Sequence, residues 1–308
     1  MLKKLSNRKM KNNLEKIIST VLSDCEAQWK SICIDAVTYT VFALPYTQLD
    51  LPPEGYAFVD SYYVASNKAY FLRKKLCEDL AQAGFETVEC TLPYKNIAHL
   101  AGLGVPLRST LIANETYGTR MALEIIGVRG VFAEEASCLP DAAKKPEISE
   151  FCGSCGICEK LCPNDCIGDG SFLRERCIRS LQEASDFPDE AAADSIGTQL
   201  WGCDICQRYC PFNKHLESRE MTEKEKELFS IENLFAAFSS GKKGCEPYRD
   251  ILGGNYLRPA KLTALVLSVM ANTANPKQYE KYAAAMLNHS DERVRKAAQR
   301  LTDKINNQ

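Results

Sequence analysis

Cys152, Cys155, Cys158 and Cys162 stand at C-x2-C-x2-C-x3-C with Pro163 directly after, and about forty residues later Cys203, Cys206 and Cys210 end in a second Cys-Pro at Pro211. Nothing else in the 308 residues limits the fold so tightly. A cubane iron–sulfur cluster needs four thiolates around it. One tight loop supplies three of them at intervals of three residues, and the fourth must arrive from elsewhere in the chain. In two-cluster modules of this spacing the cysteine before the proline ligates the other cluster, which ties the two segments together. Cluster I then takes Cys152, Cys155, Cys158 and Cys210. Cluster II takes Cys162, Cys203, Cys206 and one further thiolate. The second segment has no extra upstream cysteine, so the missing ligand comes from the stretch between. Cys177 is the choice and Cys166 the rival, the latter only four residues after Cys162 on the stretch leading away from the first loop.

Two plainer readings of the cysteines compete. A disulfide framework needs an oxidising compartment, yet Met1-Leu2-Lys3-Lys4 leads into polar residues with no apolar signal core, so the expected location is cytoplasmic. Structural zinc uses paired C-x2-C sites but has no need of three cysteines at successive threes followed by x3-Cys-Pro. A ferredoxin-like module carrying two 4Fe–4S clusters is therefore expected. Cys25, Cys33, Cys77, Cys90, Cys138 and Cys245 are scattered and suit small buried hydrophobes.

Such a module accounts for about a fifth of a chain that is 45% hydrophobic, leaving room for a domain on each side. The expected class is α+β, divided into an α/β domain over 1–148, the double-cluster module over 149–215 and a helical domain over 216–308. Net charge is −2, so no global charge argues for nucleic acid or membrane, and no apolar run approaches the roughly twenty residues of a membrane span. Residues 241–308 nevertheless carry twelve Lys/Arg against six Asp/Glu. This excess suits either an anionic partner or a solvated helical surface.

In the first part, Leu14, Ile17, Ile18, Val21 and Leu22 predict an amphipathic helix over 12–30. Ile32 to Leu44 reads as a strand ending at Pro45, residues 66–84 as a helix, Glu86–Leu92 as a strand, and Met121–Val128 and Gly130–Ala133 as further sheet. Ala101-Gly102-Leu103-Gly104-Val105-Pro106 reads as a turn where glycine allows close backbone approach, without the third glycine of a dinucleotide fingerprint. Towards the C-terminus, Pro259 to Thr273 and Tyr279 to Leu287 are helical by pattern. His289-Ser290-Asp291 caps a third helix carrying Val294, Ala297, Ala298 and Leu301. Stacked helices of this kind look like HEAT repeats.

The residues together resemble epoxyqueuosine reductase, with reductive dehalogenases as more distant relatives. The resemblance is carried by Phe151–Cys162 with Pro163, by Arg176-Cys177-Ile178, and by Trp201-Gly202-Cys203-Asp204-Ile205-Cys206-Gln207 through Cys210-Pro211-Phe212-Asn213. It supports Cys177 as the eighth ligand. It implies a nitroreductase-like corrinoid-binding α/β domain, with Ala101, Gly102, Leu103, Gly104, Tyr117 and Gly118 in the segment beside the cofactor. What the family implies is a cobalamin reduced through the two clusters by a low-potential donor of ferredoxin or flavodoxin type. The implied substrate is a modified base in a tRNA anticodon, and tRNA or a corrinoid protein is the implied macromolecular partner.

Two departures stand out. Val105-Pro106-Leu107-Arg108 replaces the Trp-x-Gly-Lys that follows the family's glycine turn, and Cys90-Thr91-Leu92-Pro93-Tyr94-Lys95-Asn96 has no acid where the family places its proton-donating aspartate. If a side chain delivers protons, Tyr94, Lys95 and Tyr117 are the candidates, because phenol and ammonium can donate at neutral pH. The rival reading is an electron carrier or corrinoid-protein reductase that docks a protein partner.

Overall fold

The computed structural model describes residues 2–133, 147–168, 171–184 and 190–307. The chain divides into two compact units, Met1–Tyr46 with Ala65–Gly156 and Tyr209–Leu216, and Thr47–Val64 with Ile157–Arg208 and Glu217–Gln308.

The first unit is built on a four-stranded antiparallel sheet in the order Gln28–Ile34, Val37–Pro45, Met121–Arg129, Thr87–Val88. The run expected as one strand from Ile32 to Leu44 is a hairpin instead. Asp35 and Ala36 both take positive φ, 49° and 57°, and Ile34 pairs with Val37 across them. A two-residue turn with both φ positive matches strand twist, but the usual Asn-Gly signal is absent here. The strand expected over Glu86–Leu92 pairs only through Thr87 and Val88, and Gly130–Ala133 lies beyond the last paired residue, Arg129. Ile32, Ile34, Val41, Ala43 and Ile125 of the sheet pack with Ile97, Ala98 and Leu103, which come from the helix Tyr94–Leu100 and the turn after it. Pro93, at φ −62°, precedes that helix and sets its first turn.

The helix expected over 12–30 spans Leu2–Leu22. Its buried stripe is Leu14, Ile18 and Leu22 at every fourth residue, and residues 28–30 belong to the first strand instead. The polar run Lys11-Asn12-Asn13 hides the earlier turns from a search for apolar periodicity.

The second unit is mainly helical. Pro259–Ala271 is buried continuously from Lys261 to Ala271, as expected of a mostly apolar helix surrounded by others. Ile231–Ser239 and Glu292–Asn306 pack against it. The third helix starts as read, with the Asp291 carboxylate accepting the Arg293 backbone N–H at 3.0 Å. Two short parallel pairs bring distant chain together: Gln199–Trp201 beside Phe58–Val59, and Ser218–Arg219 beside Gln48–Leu49. No helix among the described residues is long and apolar enough to cross a membrane.

Candidate functional site

In the first unit, Cys152 and Cys155 lie on the short helix Glu150–Cys155, which stops at Gly156 with φ 65°. Cys152 is buried in a small core with Leu107 and Ala113, and Ile148, Cys210 and Phe212 pack on it. The backbone N–H of Arg108 donates to Cys152 Sγ at 3.2 Å, and the Arg108 guanidinium donates to Gly153 O at 2.5 Å. Burial pushes the Cys210 thiol up, the Phe212 N–H pulls it down, and Cys152 and Cys155 push it up again. Cys152, Cys155 and Cys210 are thus within electrostatic reach of one another inside this unit. Cys158, expected to join them, lies in the second unit on the helix Ile157–Leu161.

The second unit gathers the other set. Cys162 follows that helix, Cys177 caps the helix Ile178–Glu183, and Cys203 and Cys206 flank the start of the helix Ile205–Arg208. Burial pushes the Cys203 thiol up to about 12, with Asp204, Cys177 and Asp60 adding to the effect against one opposing N–H from Ile205. Cys206 is raised as well, by burial first and then by Cys203, Cys177 and Cys158. Thiols crowded in a dry site resist ionisation unless a cation shares the site. Cluster iron supplies that charge, so the donor set suits a metal cluster and not free thiolates. Cys166, the rival ligand, is 3% exposed and sits 3.1 Å from Cys162 sulfur to sulfur.

Buried polar side chains hold this loop. Gln182 accepts the Gly202 N–H at 2.7 Å and donates to Gln199 O at 2.7 Å. Asp204 accepts from Gln48 at 2.7 Å and pairs with Arg208 at 2.7 Å. Gly202 takes φ 83°, and a Cβ there would meet Asp60 Cβ at 2.5 Å. Asp60 is fully buried. Its Oδ1 accepts the Tyr62 N–H at 3.0 Å while Oδ2 takes no hydrogen bond, and burial with Asp204 nearby raises its carboxyl to about 6.

Two cavities of the first unit share wall residues with the small core around Cys152 and Cys210. One, of about 500 Å³, is lined by Gly102, Leu103, Gly104, Ala113 and Phe212 with polar groups from Gln28, Asn114 and Thr116. Gly104 is required here, since a Cβ would stand 2.5 Å from Ala113 O. The other, of about 340 Å³, has Tyr94, Lys95, Leu107 and Arg108 in its wall. The expected cofactor segment therefore divides. Gly102, Leu103 and Gly104 line the larger cavity, while Ala101 ends the helix Tyr94–Leu100. Gly118 packs on the second Cys-Pro string, where Asn213 accepts the Thr119 N–H at 2.7 Å and donates to Thr119 Oγ1 at 2.8 Å. Tyr117 donates its hydroxyl to Glu26 O and its N–H to Asn114 at 2.7 Å. Burial raises the phenols of both Tyr94 and Tyr117, which makes them weaker acids than usual.

Sequence reasoning missed Arg108 and Asp60. The contact of Arg108 with Cys152 is made by a backbone amide, which carries no residue signature, and Asp60 reaches Cys203 only through the tertiary fold.

Residues 151–213 match the family described as 4Fe-4S double cluster binding domain. No curated protein sequence matches the chain significantly. Among solved structures, the chain is similar to epoxyqueuosine reductase from Bacillus subtilis at a TM-score of 0.67 and 20% identity, covering 87% of this chain and 73% of that one. It is similar to epoxyqueuosine reductase from Streptococcus thermophilus at a TM-score of 0.66 and 19% identity, covering 88% and 74%. An epoxyqueuosine reductase solved with an epoxyqueuosine-modified tRNA stem loop is similar at a TM-score of 0.69 and 15% identity, covering 97% of this chain and all of that one. A 4Fe-4S double cluster binding domain thus sits in this chain within the fold of the epoxyqueuosine reductases.

Proposed function

We propose that the chain is a cobalamin-dependent iron–sulfur reductase that acts on epoxyqueuosine in tRNA or on a related substrate, using electrons from a ferredoxin- or flavodoxin-type donor. The observation that carries this reading is the small core shared by Cys152, Cys210, Leu107, Ala113 and Phe212, because the same Leu107, Ala113 and Phe212 form walls of the two cavities. A cluster on those cysteines delivers electrons to the edge of an adjacent ligand site. In this reading Cys152, Cys155, Cys158 and Cys210 hold cluster I, and Cys162, Cys177, Cys203 and Cys206 hold cluster II.

The larger cavity suits a corrinoid. Gly102 to Gly104 bring bare backbone to its wall and Phe212 an apolar face, while Gln28, Asn114 and Thr116 offer amide and hydroxyl groups to the cofactor's amide side chains. Those three are already set in place by bonds from Asn114 to Gln28 at 3.1 Å and from Gln28 to Thr116 at 2.9 Å. Reduced cobalamin, when bound, supplies the nucleophilic metal that opens an epoxide or attacks a carbon–halogen bond. The chain's part is to orient the cofactor, exclude water and supply protons. Tyr94 and Lys95, in the wall of the smaller cavity, are the proton donors assigned to that part. Tyr117 serves it less well, since its hydroxyl proton is already given to Glu26 O. The basic stretch 241–308 supplies phosphate contacts for tRNA, a partner present in one of the similar structures.

Anaerobic reconstitution followed by titration with cobalamin tests the reading. Binding should appear as a change in the corrinoid spectrum on reduction of the clusters, and a flat titration would sink it. The stretch Cys90–Asn96 contains no acid, and this favours a second reading, a non-catalytic electron carrier or corrinoid-protein reductase. That alternative predicts reduction of a corrinoid protein without turnover of any substrate by the isolated chain.

A further inference from the structure

Cys166 is the one cysteine of the segment 151–213 that neither set of four ligands uses. It is placed with care. Asp165 takes a positive φ of 48° and donates its N–H to Cys162 O at 3.2 Å, while Asn164 donates to Arg176 O at 2.8 Å. The chain after Cys162 therefore turns back on itself. The Cys166 carbonyl then accepts the Leu173 N–H at 2.8 Å, and Ile167 pairs with Phe172. This turn brings the Cys166 backbone N–H to 3.4 Å and its Sγ to 3.1 Å from Cys162 Sγ.

That spacing decides the role. Thiolates on different irons of a cubane diverge and do not approach within hydrogen-bonding distance, so Cys162 and Cys166 do not both ligate. A cysteine off the metal is mostly a protonated thiol at neutral pH, able to donate its one S–H. Hydrogen bonds to the sulfurs of a cluster withdraw charge from them and favour the reduced state.

We propose that Cys166 is a positioning residue for cluster II, donating its S–H to the Cys162 sulfur and thereby raising the reduction potential of that cluster. The inference rests on the assignment of Cys162, Cys177, Cys203 and Cys206 as ligands.

The test uses the full chain, reconstituted anaerobically, as wild type, Cys166→Ala, Cys166→Ser and Cys177→Ala. Iron is counted and the clusters are titrated electrochemically with paramagnetic resonance as readout. Both Cys166 variants should keep the wild-type iron content. In Cys166→Ala the midpoint of one cluster should fall while the other holds, and in Cys166→Ser, whose hydroxyl still donates, most of the shift should be recovered. Exchange into heavy water should remove a proton coupling from reduced wild type that Cys166→Ala never shows. Full iron with unchanged midpoints in Cys166→Ala would overturn the proposal. Loss of about half the iron in both Cys166 variants would overturn it too, by making Cys166 a ligand. Full iron in Cys177→Ala alongside that loss would show that the ligand assignment itself had failed.

Discussion

The two groups of cysteines sit in unlike surroundings. In the first unit, Cys152 and Cys210 receive backbone N–H groups from Arg108 and Phe212 and lie against cavities, and among the described residues no Asp or Glu of that unit is buried. In the second unit, Cys203 also takes one backbone N–H, from Ile205, but lies near two buried carboxylates, Asp60 and Asp204. Negative charge near a cluster opposes its reduction, whereas N–H donors favour it. The difference sets a direction. On the proposed ligand assignment, cluster II would be the harder to reduce and cluster I the easier, a step in potential that would favour electron flow from II to I. The thiol of Cys166 limits how steep that step becomes.

The largest expected effect is loss of a cluster. Cys155→Ser should halve the iron content by emptying cluster I, and Cys206→Ser should do the same for cluster II, from a total of about eight irons per chain. If either variant kept all its iron, the contrast between the two sets would have no basis.

Asp60→Asn comes next. The carboxyl stands at about 6 against an ordinary 3.8, so the folded chain binds this proton more tightly than the unfolded one. The sign follows: ionising Asp60 costs stability as pH rises from about 4 to 6, reaching about 3 kcal/mol above that range. The asparagine variant should gain on wild type in anaerobic urea unfolding as pH is raised from 5 to 8. Its cluster II midpoint should rise. A pH-independent difference would mean that Asp60 is not the titrating group.

Smaller effects separate support of the ligands from support of the cavity. Gln182→Leu leaves the Gly202 N–H and Gln199 O without their partner, and Asn213→Ala does the same to Thr119; each should cost about 1–3 kcal/mol. The first should speed iron loss from cluster II alone, the second from cluster I alone. Gly104→Ala forces a methyl against Ala113 O and should cost about 1–3 kcal/mol. It should weaken cobalamin binding at least tenfold with iron unchanged. Smallest is Arg108→Gln. The bond to Cys152 comes from the backbone, so iron content and cluster I midpoint should stay at wild-type values.

Much of this contrast was legible only in outline. The spacing around Pro163 and Pro211 points to a double 4Fe-4S segment, which the family match over 151–213 bears out, because a cubane imposes its geometry on the sequence, and the Asp291 cap is legible because its hydrogen bond spans two residues. The hairpin at Asp35-Ala36 was not, since neither residue advertises a positive φ. Nor were the carboxylate beside Cys203 or the amide on Cys152. Both depend on chain brought from more than forty residues away, and one is backbone that any residue could supply. Cys166 could be counted from the sequence, but its closeness to Cys162 depends on the left-handed Asp165.

The return of Tyr209–Leu216 to the first unit bears on biosynthesis. With Asn213 clasping Thr119 and Cys210 joining Cys152, that unit cannot close while its last strap is still being made. On the proposed ligand assignment, synthesis must pass Cys210 before cluster I can exist. Nascent chains arrested short of Tyr209 should therefore emerge without cluster I, although all four proposed ligands of cluster II have by then been made.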